Sequence, residues 1–124
     1  MKLISTILIL LIFNHSLRAE QREIFVGSCF MKQDNYCTDN ILIDADQKKI
    51  NSWKEIVKNY CQQAHGLYKK TRCPDKNKVW ACVSDNKKER ELTWQYSTTS
   101  KRDLKFRKMG CQSIQHFKVK KASK

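Results

Sequence analysis

Residues 47–66 have the sequence QKKINSWKEIVKNYCQQAHG, and the prediction of the fold starts from this segment. Apolar residues recur in it at spacings of three and four, the period of an α-helix with one buried face. Asp44 and Asp46 precede it where a helix N-cap is expected, and Gly66 follows it as the expected left-handed terminator. The pattern predicts a helix over residues 47–65 whose buried arc contains Ile50, Trp53, Ile56, Val57, Tyr60, Cys61 and Ala64.

On both sides of this helix the apolar period shortens to two residues, which is typical of strands. Residues 23–31 predict a strand, followed by a polar turn before the chain returns at Cys37. Downstream, residues 79–83 and 92–96 predict an antiparallel hairpin. Its first strand is expected to be the more buried one, because that strand is apolar on both faces.

The last part of the chain is ambiguous in pattern. In residues 101–109 a capping pair at Ser100 and Asp103 favours a helix, whereas alternating apolar residues favour a strand. Residues 113–120 predict a final strand. Together these elements predict an α+β fold: a small disulfide-stabilised domain with one long helix packed on a mostly antiparallel sheet.

Six cysteines follow the first 19 residues: Cys29, Cys37, Cys61, Cys73, Cys82 and Cys111. An even number in a short chain predicts three disulfides formed in an oxidising compartment. Spacing alone does not choose among the pairings, and a link between Cys29 and Cys37 across the first hairpin is the pair expected first. That gap of seven residues, the shortest, is too long for a zinc-binding pair, so no metal site is expected.

Residues 1–19 have the features of an export signal. Lys2 is followed by an apolar run that is too short to span a bilayer, and Ala19 is the small residue at the expected cut. A single domain, residues 20–124, is therefore expected to be secreted or periplasmic. It carries 23 basic and 12 acidic side chains, a net charge of +11. This charge favours an acidic partner. The chain length and composition argue against a multidomain enzyme, a membrane span or a disordered chain.

The cysteine spacing is more specific than the composition. From Cys61 to Cys82 the pattern is C-x11-C-P-x7-C, with a further cysteine pair upstream. The chain resembles a cysteine module of small exported proteins of Gram-negative bacteria, in particular leptospiral spirochaetes. The resemblance covers roughly residues 28–111 and implies an exported, disulfide-bonded bacterial protein with an envelope or host-facing role. It implies no catalytic residues. The chain differs from the module in its stronger positive charge and in His65, where a second glycine is common.

The surplus charge is concentrated at one end of the chain. Residues 20–63 have a net charge of −1 and residues 64–100 of +4, whereas residues 101–124 carry nine basic side chains and one acid. We predict binding to an acidic macromolecule, with a glycosaminoglycan or an acidic protein favoured and nucleic acid or a membrane surface as further options. The expected binding residues are Lys101, Arg102, Lys105, Arg107, Lys108, Lys118, Lys120 and Lys121.

Three other interpretations stay open. Lysines on a terminal strand also prevent edge-to-edge aggregation, so the basic segment can be a solvated face only. A cationic, membrane-active toxin needs an exposed apolar face beside the charge. A ribonuclease-like enzyme would use His65 and His116 as acid and base, but the expected assignment is no enzyme, no catalytic residue and no cofactor, because no catalytic motif is present.

Overall fold

The computed structural model describes residues 20–124, so the predicted export signal lies outside the described residues. The described chain forms β1 Glu23–Met31, β2 Tyr36–Ile43, α1 Gln47–Gln63, β3 Leu67–Lys69, β4 Lys78–Asp85, β5 Glu89–Tyr96, α2 Lys101–Ser113 and β6 Phe117–Lys121. The predicted fold class, a small disulfide-stabilised α+β domain, is confirmed. The helix predicted over residues 47–65 is present as α1 but has 17 residues, and the described chain has a second helix, α2, of 13 residues, where the pattern predicts one long helix only.

The six strands form one antiparallel sheet in the order β3-β1-β2-β5-β4-β6. The predicted hairpin is confirmed as β4 and β5. Its second strand is the more buried one, contrary to the prediction, because β5 lies in the middle of the sheet and β4 lies next to the edge strand β6. The buried side chains of β5 are Leu92, Trp94, Gln95 and Tyr96.

Residues 101–109, whose pattern is ambiguous, belong to helix α2 and do not form a strand. The Ser100 hydroxyl accepts a hydrogen bond from the Asp103 N–H at 3.1 Å and caps the first turn. The helix continues through Ser113, so the strand predicted over residues 113–120 begins only at Phe117. A disulfide to β4 holds the last turn of this helix against the sheet through Cys111.

Helix α1 begins as predicted but buries a narrower face. The Asp46 carboxylate accepts a hydrogen bond from the Lys49 N–H at 2.8 Å at its start. Ile56 and Tyr60, both expected inside, are 50% and 73% exposed. They project beside β2 and β5 over an open cleft of about 490 Å³, because α1 packs on β1 and β3. The α1 residues that are buried are Ile50, Val57 and Cys61.

The left-handed residue that ends α1 is His65, with φ of 59°, and not Gly66 as predicted. The His65 N–H donates to the Gln62 carbonyl and the Gly66 N–H donates to the Cys61 carbonyl, the two hydrogen bonds of a Schellman motif. Gly66 is required instead because there is no space for a side chain at this position. A Cβ atom there would lie 2.5 Å from the Cys29 sulfur and 2.9 Å from the Cys61 sulfur.

All six cysteines are paired, as Cys29–Cys61, Cys37–Cys73 and Cys82–Cys111. The predicted link between Cys29 and Cys37 is therefore wrong. In the register of β1 and β2, Cys29 lies opposite Thr38 and Cys37 lies opposite Phe30. Because successive side chains of a strand point to opposite faces, this offset of one residue places the two cysteines on opposite faces of the sheet.

The sheet has two different faces. The first, called the helix face, contains the cross-strand row Cys29, Thr38, Thr93 and Cys82. In this row Cys29 forms a disulfide with α1 and Cys82 forms a disulfide with α2. The opposite face, called the loop face, contains the neighbouring row Asp39, Leu92 and Val83. It is covered at one end by the loop of residues 70–77, which the Cys37–Cys73 disulfide ties to β2.

Candidate functional site

The eight predicted binding residues do not form one surface. On β6, Lys118 and Lys120 lie opposite Val83 and Ala81 and therefore belong to the loop face. Lys121 is one residue further along and points to the helix face. Since the sheet separates Lys118 and Lys120 from Lys121, the predicted basic residues lie on two separate surfaces rather than on one.

One side of α2 carries a row of lysines. The helical repeat places Lys101, Lys105 and Lys108 along this side. Lys108, Lys121 and Lys124 line a cavity of about 660 Å³ between α2 and the end of β6, here called the α2–β6 cleft. None of the described residues that line it is acidic. Positive potential is therefore concentrated in a concave surface.

A fourth lysine in the lining of the α2–β6 cleft, Lys78, is already paired. Its ammonium nitrogen lies 2.9 Å from a carboxylate oxygen of Asp75 and 4.3 Å from the ring centre of Trp94. Both groups are on the loop-face side of β4, so the charge of Lys78 is directed away from the cleft. The stem of this lysine contributes apolar wall to the cleft instead.

Arg107 is used inside the fold. Its guanidinium donates a hydrogen bond to the Gln95 side-chain oxygen at 2.8 Å and lies 6.0 Å from the ring centre of Tyr36. Burial raises the pKa of Tyr36, and the negative charge of Asp34 adds to that effect while Arg107 opposes it. Because Gln95 is buried in β5, Arg107 holds α2 against the sheet and is not part of the exposed basic surface.

The outward side of α2 combines charge with exposed apolar groups. Phe106 and Met109 are 60% and 55% exposed, and the Arg102 guanidinium lies 5.8 Å from the ring centre of Phe106. The inward side of the helix is occupied by Leu104 and Cys111. The helix therefore presents an apolar stripe to solvent, with cationic side chains on its flanks.

The loop face carries a second cavity, of about 450 Å³, here called the loop-face pocket. Its floor is apolar and is formed by Ile41, Val83, Leu92 and Trp94. Cations stand around it: Lys118 and Lys120 on the β6 side, and Arg72 from the loop of residues 70–77. Sequence reasoning missed Arg72. Its position next to Cys73 was the available signal, since the Cys37–Cys73 disulfide attaches the backbone of this loop to β2.

A fourth cation at this pocket, Arg90, is neutralised by acids. Its guanidinium forms ion pairs with the carboxylates of Glu23 and Asp85, the latter at 3.1 Å. Burial lowers the pKa of Arg90, but the hydrogen bonds to Glu23 and Asp85 together with the negative charges of these two carboxylates outweigh burial and raise the pKa overall. This group therefore closes one end of the pocket without adding free positive charge.

The other end of the pocket contains a buried carboxylate. Asp39 is 2% exposed and accepts hydrogen bonds from the Cys73 N–H at 2.8 Å and from the indole N–H of Trp94 at 3.0 Å. Nearby, burial raises the pKa of Tyr96 to about 12, with the charges of Asp39 and Asp75 adding to the effect. These contacts fix the loop on the sheet and give Asp39 a structural role.

The two histidines of the ribonuclease alternative are not brought together. His65 precedes β3 and His116 precedes β6, and these strands are the opposite edges of the sheet. With strands spaced by about 4.8 Å, five intervals separate the edges by about 24 Å. General acid and base must both reach the same reacting group, so this pair does not form such a site.

Within residues 20–124, no group of three or more His, Cys, Asp or Glu side chains is placed to hold a metal ion. Neither helix of this part of the chain is both long and apolar enough to cross a membrane. Comparison with known protein families, curated proteins and solved structures finds no match for this chain. The resemblance to the leptospiral cysteine module therefore stays a prediction.

Proposed function

We propose that this protein is a secreted bacterial binding protein that presents a basic surface to an acidic macromolecule and acts by contact rather than by turnover. The α2–β6 cleft is the surface we assign to this role, and a sulfated glycan is the partner we favour. The lining of the cleft carries the proposal, because Lys108, Lys121 and Lys124 share it with no acidic residue of the described chain. Sulfate groups along a polymer match several cations held at short separations.

The disulfide framework supports a binding role for this surface. Cys82 of β4 is linked to Cys111 of α2, and β6 pairs directly with β4. The two elements that form the cleft are therefore attached to the same strand. A surface that is rigid before binding loses less conformational entropy when the partner docks.

The disulfides also bear on where the protein acts. Three disulfides indicate an oxidising setting, either extracellular or periplasmic. Cleavage of an export signal near Ala19 and release from the cell are part of the proposal, as are the bacterial source and the host-facing role implied by the cysteine module.

Heparin affinity chromatography of the oxidised domain tests the cleft. A cleft variant removes three charges: Lys108→Gln, Lys121→Gln and Lys124→Gln. A control variant removes three exposed charges from α1: Lys48→Gln, Lys54→Gln and Lys58→Gln. We expect the cleft variant to elute at clearly lower salt than the control, because fewer counterions are released on binding. Equal elution of the two variants would contradict the proposal.

An anionic membrane surface is the second candidate partner. It is favoured by one observation, the exposure of Phe106 and Met109 beside the cations of α2. Apolar side chains flanked by basic ones are the arrangement of helices that lie in a membrane interface. Co-sedimentation with vesicles containing phosphatidylglycerol tests this candidate. Binding that Phe106→Ser with Met109→Ser abolishes, with heparin elution unchanged, would favour the membrane over the glycan.

A further inference from the structure

We infer that the loop-face pocket is a second binding site, separate from the α2–β6 cleft, for a small amphiphilic anion: one apolar chain with a carboxylate or phosphate head. The site lies on the opposite face of the sheet from both helices. It does not depend on the proposed polymer-binding function, because it shares no residue with the cleft apart from Val119 of β6.

The apolar part of the site follows from the register of the strands. Leu92 of β5 lies opposite Val83 of β4, and the next row contains Trp94 and Ala81. Within residues 20–124 no helix packs on this face, since both helices are disulfide-bonded to the helix face. The floor residues Ile41, Val83, Leu92 and Trp94 are only 4% to 9% exposed. An apolar chain therefore reaches them by displacing the long charged side chains that line the pocket.

The anionic head follows from the charges around the floor. Lys118 and Lys120 stand at the β6 side, and Arg72 stands at the opposite side with its guanidinium 5.0 Å from the ring centre of Phe25. Within the described chain, no ion pair involves these three cations. An unpaired cation beside apolar surface is complementary to the head of an amphiphilic anion.

The acids of the pocket set the orientation of the ligand. Glu23 and Asp85 are neutralised by Arg90 at one end. Asp39 is buried below the loop of residues 70–77, where one carboxylate oxygen accepts a hydrogen bond from the Cys73 N–H and the other accepts one from the Trp94 indole. Its negative charge repels an anion at the β2 end of the pocket. The head is therefore placed at Lys118 and Lys120, and the chain extends across Leu92 toward Ile41. Arg72, whose guanidinium lies over the Phe25 ring at the far side, borders the chain and does not hold the head.

The size of the pocket fits such a ligand. Its volume of about 450 Å³ lies in the range of small-molecule sites. From β6 to β2 the floor crosses three strand intervals, about 14 Å. This is close to the length of an extended medium-chain fatty acid, so dodecanoate is the probe of choice.

Titration of the ¹⁵N-labelled domain with dodecanoate, below its micelle concentration, tests the inference. We expect amide shifts to concentrate at Leu92, Val83 and Lys118. Butyrate tests the need for the chain and dodecanol the need for the charge, and both are expected to bind at least about tenfold more weakly. A lysophosphatidylglycerol with the same chain distinguishes the source: tighter binding than dodecanoate assigns a lipid head group, and weaker binding assigns a free fatty acid.

Two matched variants complete the test. Lys118→Gln with Lys120→Gln is expected to weaken dodecanoate binding by about tenfold, because two exposed charges next to the head are lost. Lys101→Gln with Lys105→Gln removes the same charge from α2 and is expected to leave binding unchanged. All four lysines are exposed, so folding is retained. No shifts at the floor, equal binding of butyrate or dodecanol, or equal loss in both variants would each overturn the inference.

Discussion

Cys29 and Cys82 lie in one cross-strand row of the sheet, with Thr38 and Thr93 between them. Their side chains therefore point to the same face of the sheet, and each is bonded to a different helix. This relationship places both helices on one face and leaves the other to a loop and to long basic side chains. The two candidate sites follow from that division.

The Cys82–Cys111 disulfide is expected to stabilise both the domain and the α2–β6 cleft. It closes a loop of 29 residues, and its replacement by two serines should lower the free energy of unfolding by about 2 to 4 kcal/mol. Urea denaturation measures this loss. Because the tether of α2 is also lost, heparin elution should shift to lower salt. A double serine variant with unchanged stability and elution would contradict this role.

Two glycines are expected to respond in opposite directions to alanine. In Gly66→Ala the new Cβ meets the sulfurs of Cys29 and Cys61, so we expect destabilisation by about 1 to 3 kcal/mol. Gly110 lies in α2 with nothing within 4 Å of its Cβ position. Gly110→Ala should therefore stabilise the domain by up to about 1 kcal/mol. Thermal unfolding of both variants checks the contrast, which a shift of the same sign in both would contradict.

Asp39 is expected to be essential for the attachment of the loop of residues 70–77. Asp39→Ala leaves two buried donors, the Cys73 N–H and the indole N–H of Trp94, without their acceptor. The expected cost is about 2 to 5 kcal/mol of unfolding free energy, with a change in Trp94 fluorescence. As a control, Asp34→Ala removes an exposed carboxylate and should change stability by less than about 0.5 kcal/mol. Similar losses in the two variants would argue against this role.

Tyr96 is expected to make the fold sensitive to high pH. Its pKa rises from 10.0 to about 12, so the folded state holds the phenol proton more tightly than the unfolded state does. The resulting stabilisation is complete below pH 10 and is lost as the pH rises toward 12. It amounts to about 2 to 3 kcal/mol at most.

Tyr96→Phe separates this effect from the titration of lysines over the same range. The phenol donates a hydrogen bond to the Pro74 carbonyl at 3.1 Å, so the variant starts about 1 kcal/mol less stable at neutral pH. Its urea stability should then fall less steeply with rising pH than that of the parent. Parallel curves for parent and variant would show that Tyr96 does not contribute to the alkaline loss.

Much of the local structure was predictable from short segments. The start of α1 at Asp46, the strand before Met31, and the hairpin of β4 and β5 were all visible as periods of 3.6 or two residues with polar residues at their ends. At the end of α1, the left-handed conformation was predicted for Gly66 but is adopted by His65. Gly66 is required by the disulfide packed against it, and that contact comes from a distant strand.

The candidate sites were less predictable. The density of lysines after residue 100 is a property of the sequence, but whether Lys120 and Lys121 share a surface depends on the alternation of β6. Arg72 was missed because its relation to Lys118 exists only across the sheet. Arg107 was counted as a surface cation, although it is half-buried against the sheet, where its guanidinium contacts Gln95 and Tyr36.

By itself the sequence determined the class of fold, the positions of most elements, the pairing of every cysteine with some partner and the excess of positive charge. These properties depend on composition and on residues close together in the chain. Which cysteines are joined, and how the cations divide between two faces, depends on the assembled sheet. A shift of one residue in strand register moves a side chain to the opposite face of the sheet, so residues close together in the chain do not reveal this division.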